Sequence, residues 1–277
     1  MAHRLVHRAG MLGRLATAWG RSGPDFLIIG AQKCGTTSLY NYLLRHPNVA
    51  PASKRSIRFF DYEPNWARGP VWYRSHFPFT PGRRPLTGRP LVGESTPAYL
   101  FHPLGGERVQ KVAPHARLIV LLRNPVDRAY SHYHHMRRRG REPLGFEEAL
   151  AREPERLATD RERLSADPGH DPVHLRWHSY LARGHYAEQL QAWLSRMDRS
   201  RLHIIVTEEL AEDPAEVMAG THAFLALPPL GLTDYSRFNT GAYEPLAPQV
   251  RERVAAYFAP HNRRLADLLG RHPGWDS

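Results

Sequence analysis

Lys33 stands inside a short stretch, Gly30-Ala-Gln-Lys-Cys-Gly35-Thr-Thr-Ser38, in which two glycines five residues apart precede three hydroxyl side chains. Glycines let a loop turn tightly, so that its backbone N–H groups converge on an anion. Thr36, Thr37 and Ser38 add hydroxyl donors, and the positive end of a following helix adds its field. The lysine is conspicuous by its type. Of 38 cationic residues only Lys33, Lys54 and Lys111 are lysines. A flexible point charge, rather than the planar fork used almost everywhere else, suits an anion whose charge shifts during reaction. A second candidate is Arg123, which ends the apolar run Arg117-Leu-Ile-Val-Leu-Leu-Arg123. Its guanidinium can clamp a phosphate through two parallel bonds. Ser131, two turns into the helical stretch that starts at Pro125, can offer a hydroxyl to the same anion.

The loop is similar to the nucleotide pattern G-x-x-x-x-G-K-[ST], with the lysine moved inside and Thr36 after the second glycine. Triphosphatases usually end the corresponding later strand in an Asp that holds Mg²⁺, whereas an arginine repels the metal. Two anion sites without a metal carboxylate point to a nucleotide with phosphates on both sides of its ribose. A nucleotide kinase or triphosphatase, and an RNA-binding protein using its basic surface, are the competing readings.

These residues need elements to hold them. Asp25–Gly30 is a continuous apolar run of the kind buried on both faces of a parallel sheet. Further strands are expected at 90–94, 117–123 and 202–207. Helices are expected at about 35–45, 125–138, 146–163, 185–197 and 213–226. Strands alternating with helices predict a three-layer α/β domain with a central parallel sheet.

Composition sets the outer bounds. The chain has 277 residues, 42% hydrophobic, and a formal net charge of +11, so it can bury a core. A single cysteine, Cys34, excludes a disulfide framework and Cys-based zinc, and implies a reducing cytoplasm. No apolar run approaches the roughly 18 to 20 residues of a membrane span. Residues 1–24 read as a basic N-terminal tail, either disordered or a helix in peripheral contact with a membrane or with the domain. Residues 25–277 read as one domain. His132, His134 and His135 have no suitably spaced acid or cysteine, so no metal site is expected. Acids follow the run Arg137-Arg-Arg-Gly-Arg141 at once, which suits a solvated face or the rim of an acidic-substrate site better than a nucleic-acid site.

Gly30–Ser38 with its strand resembles the 5′-phosphosulfate loop of sulfotransferases that use 3′-phosphoadenosine 5′-phosphosulfate (PAPS). Leu121-Leu-Arg-Asn-Pro-Val-Asp-Arg-Ala-Tyr-Ser131 resembles their 3′-phosphate element. The flavour is that of the heparan-sulfate-type and related bacterial carbohydrate group. Arg58-Phe-Phe-Asp61, Gly93-Glu-Ser-Thr-Pro-Ala-Tyr99, Arg183-Gly-His-Tyr186 and Phe238-Asn-Thr-Gly-Ala-Tyr243 extend the likeness across about residues 25 to 277. The resemblance implies that Lys33, Cys34, Gly35, Thr36, Thr37 and Ser38 hold the phosphosulfate. It implies that Arg123 and Ser131 hold the 3′-phosphate, and that Thr240, Gly241 and Tyr243 belong to a loop closing over the cofactor. The implied reaction moves a sulfuryl group from PAPS to a hydroxyl or amine of a carbohydrate or other small molecule, with no metal.

Two positions depart from the pattern, and one of them is Ser95, where many heparan-type members have a lysine before their Thr-Pro. The group carries a glutamate, its general base, two residues before Arg58, where this chain has Ser56. A serine cannot take a proton near neutral pH as a carboxylate does. Three readings stay open: another base has taken over, the acceptor needs little activation, or transfer is weak or lost. For the first, Glu94, at the carboxyl end of a buried strand, is the leading substitute, with Asp61 and His76 behind it and Arg58 beside the reacting groups. The other reading of Glu94 is a structural carboxylate capping the turn that follows.

Overall fold

A computed structural model describes residues 13–79, 90–167, 169–236, 238 and 243–275. Among them β1 (Phe26–Gly30), β2 (Val49–Pro51), β3 (Leu91–Ser95), β4 (Arg117–Leu122) and β5 (Leu202–Val206) form one parallel sheet, ordered β2-β3-β1-β4-β5. All of β1 and five of the six β4 residues are buried. Helices therefore cover both faces, as the unbroken apolar runs require. The longer helices are α1 (Thr36–Leu43), α2 (Gly105–Val112), α3 (Pro125–Arg138), α4 (Phe146–Ala166), α5 (Tyr186–Leu194), α6 (Pro214–Leu225) and α7 (Pro248–Leu269).

The chain starts in the middle of the sheet, fills one side with β2 and β3, then crosses to β4 and β5. The strand order thus reverses next to β1. In open α/β sheets the crevice beyond the carboxyl ends at such a point receives the ligand. The loops after β1 and β4, which carry Lys33 and Arg123, both leave from that edge.

Four expected strands and five expected helices stand within a few residues of their predicted bounds. Of the five strands and the seven longer helices, three escape a sequence reading. β2 is a three-residue edge strand, too short for a periodicity to show. α2 opens on two glycines, and α7 contains Pro260, a residue that usually ends a helix. Residues 13–24 are no free tail. Ala18 is buried, and Arg14 donates to the carbonyls of Ser75, His76 and Phe77 at 2.7, 3.1 and 3.1 Å.

β1 and β3 pair with Phe26 opposite Gly93, and the glycine is required there. A Cβ at Gly93 would lie 2.5 Å from the Phe26 carbonyl oxygen and 2.6 Å from its ring. Overpacking of a tight core costs about 1 to 3 kcal/mol. Gly93→Ala is expected to lose that much stability in urea denaturation; an unchanged midpoint would show that the strands can separate freely.

Candidate active site

The loop after β1 needs two residues in the left-handed region, Lys33 at φ 74° and Gly35 at φ 80°. Gly35 adopts it without steric cost, whereas Lys33 is strained, as side chains at ligand sites often are. The loop is strapped to its neighbours. The Thr207 hydroxyl, just after β5, donates to the carbonyls of Cys34 at 2.9 Å and Leu122 at 2.8 Å. The Tyr186 hydroxyl donates to the Arg123 carbonyl at 2.9 Å and lies 3.8 Å from Cys34 Sγ. Cys34 therefore points into the core, and burial pushes its thiol up to about 11. Only its backbone can meet a ligand, so the expected contact is not one of its side chain.

At the end of β4 the Asn124 side chain accepts from the Val126 N–H at 3.0 Å, and Pro125 takes the first helical position of α3. This cap aims α3 so that Ser131, His135 and Arg138 reach the cleft containing Lys33 and Thr36–Ser38. One Arg123 nitrogen donates to the Lys33 carbonyl at 3.4 Å, joining the two anion elements. The cleft has a volume of about 1300 Å³.

Its charge is one-sided. Burial, then Arg138, Arg123 and Arg139, push the Lys33 ammonium below its usual value. Burial, then Lys33, Arg139 and Arg138, hold His135 at about 4, so its imidazole is neutral at pH 7. Among the described residues Lys33, Arg123, Arg138 and Arg139 form no ion pair with a carboxylate. Of the acids in the wall, Asp127 pairs with Arg251, and Glu208 accepts from the Asn124 N–H and the Trp275 indole. A cationic cluster of this kind is relieved by a polyanion and by little else.

The other wall is built from residues 55–61 and 96–98. Arg58 donates through Nε and Nη2 to Oδ2 of Asp61 at 3.0 and 2.8 Å. The second oxygen, Asp61 Oδ1, is buried with no hydrogen-bond partner. Ser56 lies in the same wall, its hydroxyl 3.1 Å from that of Thr96.

Glu94 is absent from the cleft wall, and its expected role as base is corrected. The residue is fully buried, and each carboxylate oxygen receives two donors. Oε1 accepts from Tyr73 at 2.9 Å and Tyr99 at 2.7 Å. Oε2 accepts from the Ile57 N–H at 3.0 Å and the Thr96 hydroxyl at 2.6 Å. Glu94 is a structural carboxylate that clamps the Ser56–Asp61 segment to β3. His76 bonds Ser53 at 2.8 Å, outside the cleft wall.

Sequence reasoning missed other wall residues, and their signal was the arginine run. Arg138 and Arg139 line the cleft, Arg137 donates to the carbonyls of Glu142 and Pro143, and Arg141 stacks 4.1 Å above the Trp177 ring. Tyr243 closes one side, stacked on His134 with centroids 4.4 Å apart. The expected contacts of Thr240 and Gly241 lie outside the described residues.

Glu94→Gln turns an amide nitrogen toward hydroxyl and N–H donors and leaves one or more of them unsatisfied. Each buried unsatisfied group costs about 1 to 3 kcal/mol. The expected result is a fall of that size in unfolding free energy, measured in urea. Wild-type stability would instead return Glu94 to the candidate bases.

Comparison with known proteins agrees with this geometry. A family model described as "Sulfotransferase domain" matches residues 23–240. The chain is 31% identical to heparan sulfate glucosamine 3-O-sulfotransferase 6 of Homo sapiens, over 98% of this chain and 79% of that protein. It is 29% identical to the human bifunctional heparan sulfate N-deacetylase/N-sulfotransferase 2, over 90% of this chain, and spans 30% of that longer protein. A crystal structure of a sulfotransferase from Alicyclobacillus acidocaldarius superimposes with a TM-score of 0.70 at 32% identity, covering 92% of this chain and all of that one. The loop after β1, the arginine ending β4 and the parallel sheet that brings them together are thus the frame of an enzyme that transfers sulfuryl groups, and the chain belongs to the sulfotransferase domain family.

Proposed function

We propose that this enzyme takes the sulfuryl group of PAPS, releases PAP, and passes the group to a hydroxyl or amine of a glycan or other small-molecule acceptor. The observation that carries the reading is the uncompensated cluster of Lys33, Arg123, His135, Arg138 and Arg139 beside the loop hydroxyls. It fits a nucleotide with anionic groups at both ends of its ribose. Lys33, Gly35, Thr36, Thr37 and Ser38 would hold the phosphosulfate; Arg123 and Ser131 would hold the 3′-phosphate. Bound PAPS supplies the sulfuryl group; the rest of the chemistry falls to side chains of this chain.

We assign the general base to Asp61 in place of the glutamate absent at position 56. Arg58 pins Oδ2 and so fixes the rotamer, while Oδ1 is buried without a partner in a residue that lines the cleft. Oδ1 takes the acceptor proton as the acceptor atom bonds to sulfur. Lys33 faces the charge left on the bridging oxygen as the old S–O bond breaks. Arg58 is then a positioning residue.

PAP is expected to bind at least about tenfold more tightly than ADP, because a charge-assisted contact contributes about 1.5 to 3 kcal/mol. Arg123→Ala should erase most of the difference. The bound anion also favours protonated His135, raising its value from about 4. Binding near pH 5 to 6 therefore takes up protons, measurable by calorimetry in buffers of different ionisation enthalpy. Equal affinities for PAP and ADP would remove the 3′-phosphate assignment.

Asp61→Asn should lower turnover by about 10² to 10⁴ while the thermal shift produced by PAP keeps its size. A variant as active as wild type would show that another group takes the proton.

A further inference from the structure

Two stretches far apart in sequence meet away from the cleft. The short turn Ala18–Gly20 packs on the helix Gly69–Arg74, and Arg21 bridges to Phe79 as an isolated antiparallel pair. Ala18 is buried in this contact, but its neighbours face outward. Trp19 is 79% exposed, Val71 50% and Phe79 43%; these are three of the five large apolar side chains exposed among the described residues. Trp19 and Phe79 meet edge to face with centroids 6.1 Å apart. A tryptophan so exposed contributes little to folding, and clustered exposed apolar groups mark a contact surface.

The charge on the stretches that build this patch is of a single sign. The described residues 13–24 and 64–79 carry four arginines, Arg14, Arg21, Arg68 and Arg74, and no Asp or Glu. Arg14 and Arg21 lie under the patch, donating to backbone carbonyls and to the Thr17 hydroxyl rather than to carboxylates. Arg68 is exposed, its guanidinium 5.1 Å above the ring of Trp72.

We propose that the Trp19–Val71–Phe79 patch with its arginine rim is a docking surface for an anionic lipid bilayer. An indole with an apolar body and one N–H suits the boundary between headgroups and acyl chains. Valine and phenylalanine can follow it to shallow depth, while the arginines answer the lipid phosphates. A second copy of the chain fits poorly, because two such faces would set arginine against arginine. A nucleic acid would answer the arginines and leave Val71 without a partner.

The test is co-sedimentation of the full chain with vesicles of phosphatidylcholine, alone or mixed with phosphatidylglycerol. Binding is expected to be at least about tenfold stronger on the anionic vesicles and to weaken as salt rises. Trp19→Ser combined with Phe79→Ser, and separately Arg68→Glu, should each lower that binding several-fold without moving the urea midpoint. Equal binding to both vesicle types, binding to neither, or full binding by the Trp19→Ser/Phe79→Ser variant overturns the proposal. So does a dimer in sedimentation velocity that this variant dissolves, or RNA binding that it abolishes, since either gives the patch to another partner. None of these readouts depends on the donor or acceptor assigned to the cleft.

Discussion

Like charges held close together are the constraint around which this molecule is organised. Burial first, and then repulsion among Lys33, Arg123, Arg138 and Arg139, depress the Lys33 ammonium; burial, with Lys33, Arg139 and Arg138 beside it, keeps His135 neutral. Such an arrangement survives only on a frame that does not yield. β1 and β4 are buried on both faces, the Thr207 hydroxyl ties the ends of two loops together, and Tyr186 fixes the Arg123 backbone from below. The core holds the rigidity and its edge displays the charge. Donors fixed in place beforehand need no reorganisation when charge develops during reaction.

Two carboxylates, Asp61 in the opposite wall and Glu94 behind it, divide the labour there. Glu94, sealed and saturated with donors, shapes the Ser56–Asp61 segment; Asp61, half saturated, has one buried oxygen without a partner. Aromatic packing reinforces the first of these. Phe59 stacks on Tyr73 at 4.5 Å, and Tyr73 in turn donates to Glu94, so the segment is held by its rings as well as by its hydrogen bonds.

Much of the cationic side of the cleft was legible in the sequence because its determinants are local. The Gly30–Ser38 loop and the Arg123–Ser131 element each lie in one uninterrupted stretch between a buried strand and a helix, and the structure brings them together at the edge that the strand order dictates. The opposite wall was read less well because its determinants are remote. Nothing near Glu94 announces that Tyr73, which precedes it by 21 residues, and Ile57, which precedes it by 37, would saturate it. The same applies to Arg138 and Arg139, whose mixed-charge surroundings look like an ordinary solvated helix until α3 is seen ending at the cleft. α7 escaped notice because Pro260 interrupts its pattern, although burial of Val254, Phe258 and Leu265 holds it helical.

The clamp on the Ser56–Asp61 segment has an evolutionary consequence. Residue 56 contributes a single hydroxyl contact to that wall, whereas the path of the backbone is dictated from beneath by Glu94. Fold and chemistry are therefore uncoupled at this position: mutation can exchange the side chain there without unravelling its support. A lineage carrying such a site can drift through different proton acceptors, and explore different acceptors of the transferred group, while the scaffold under selection stays the same.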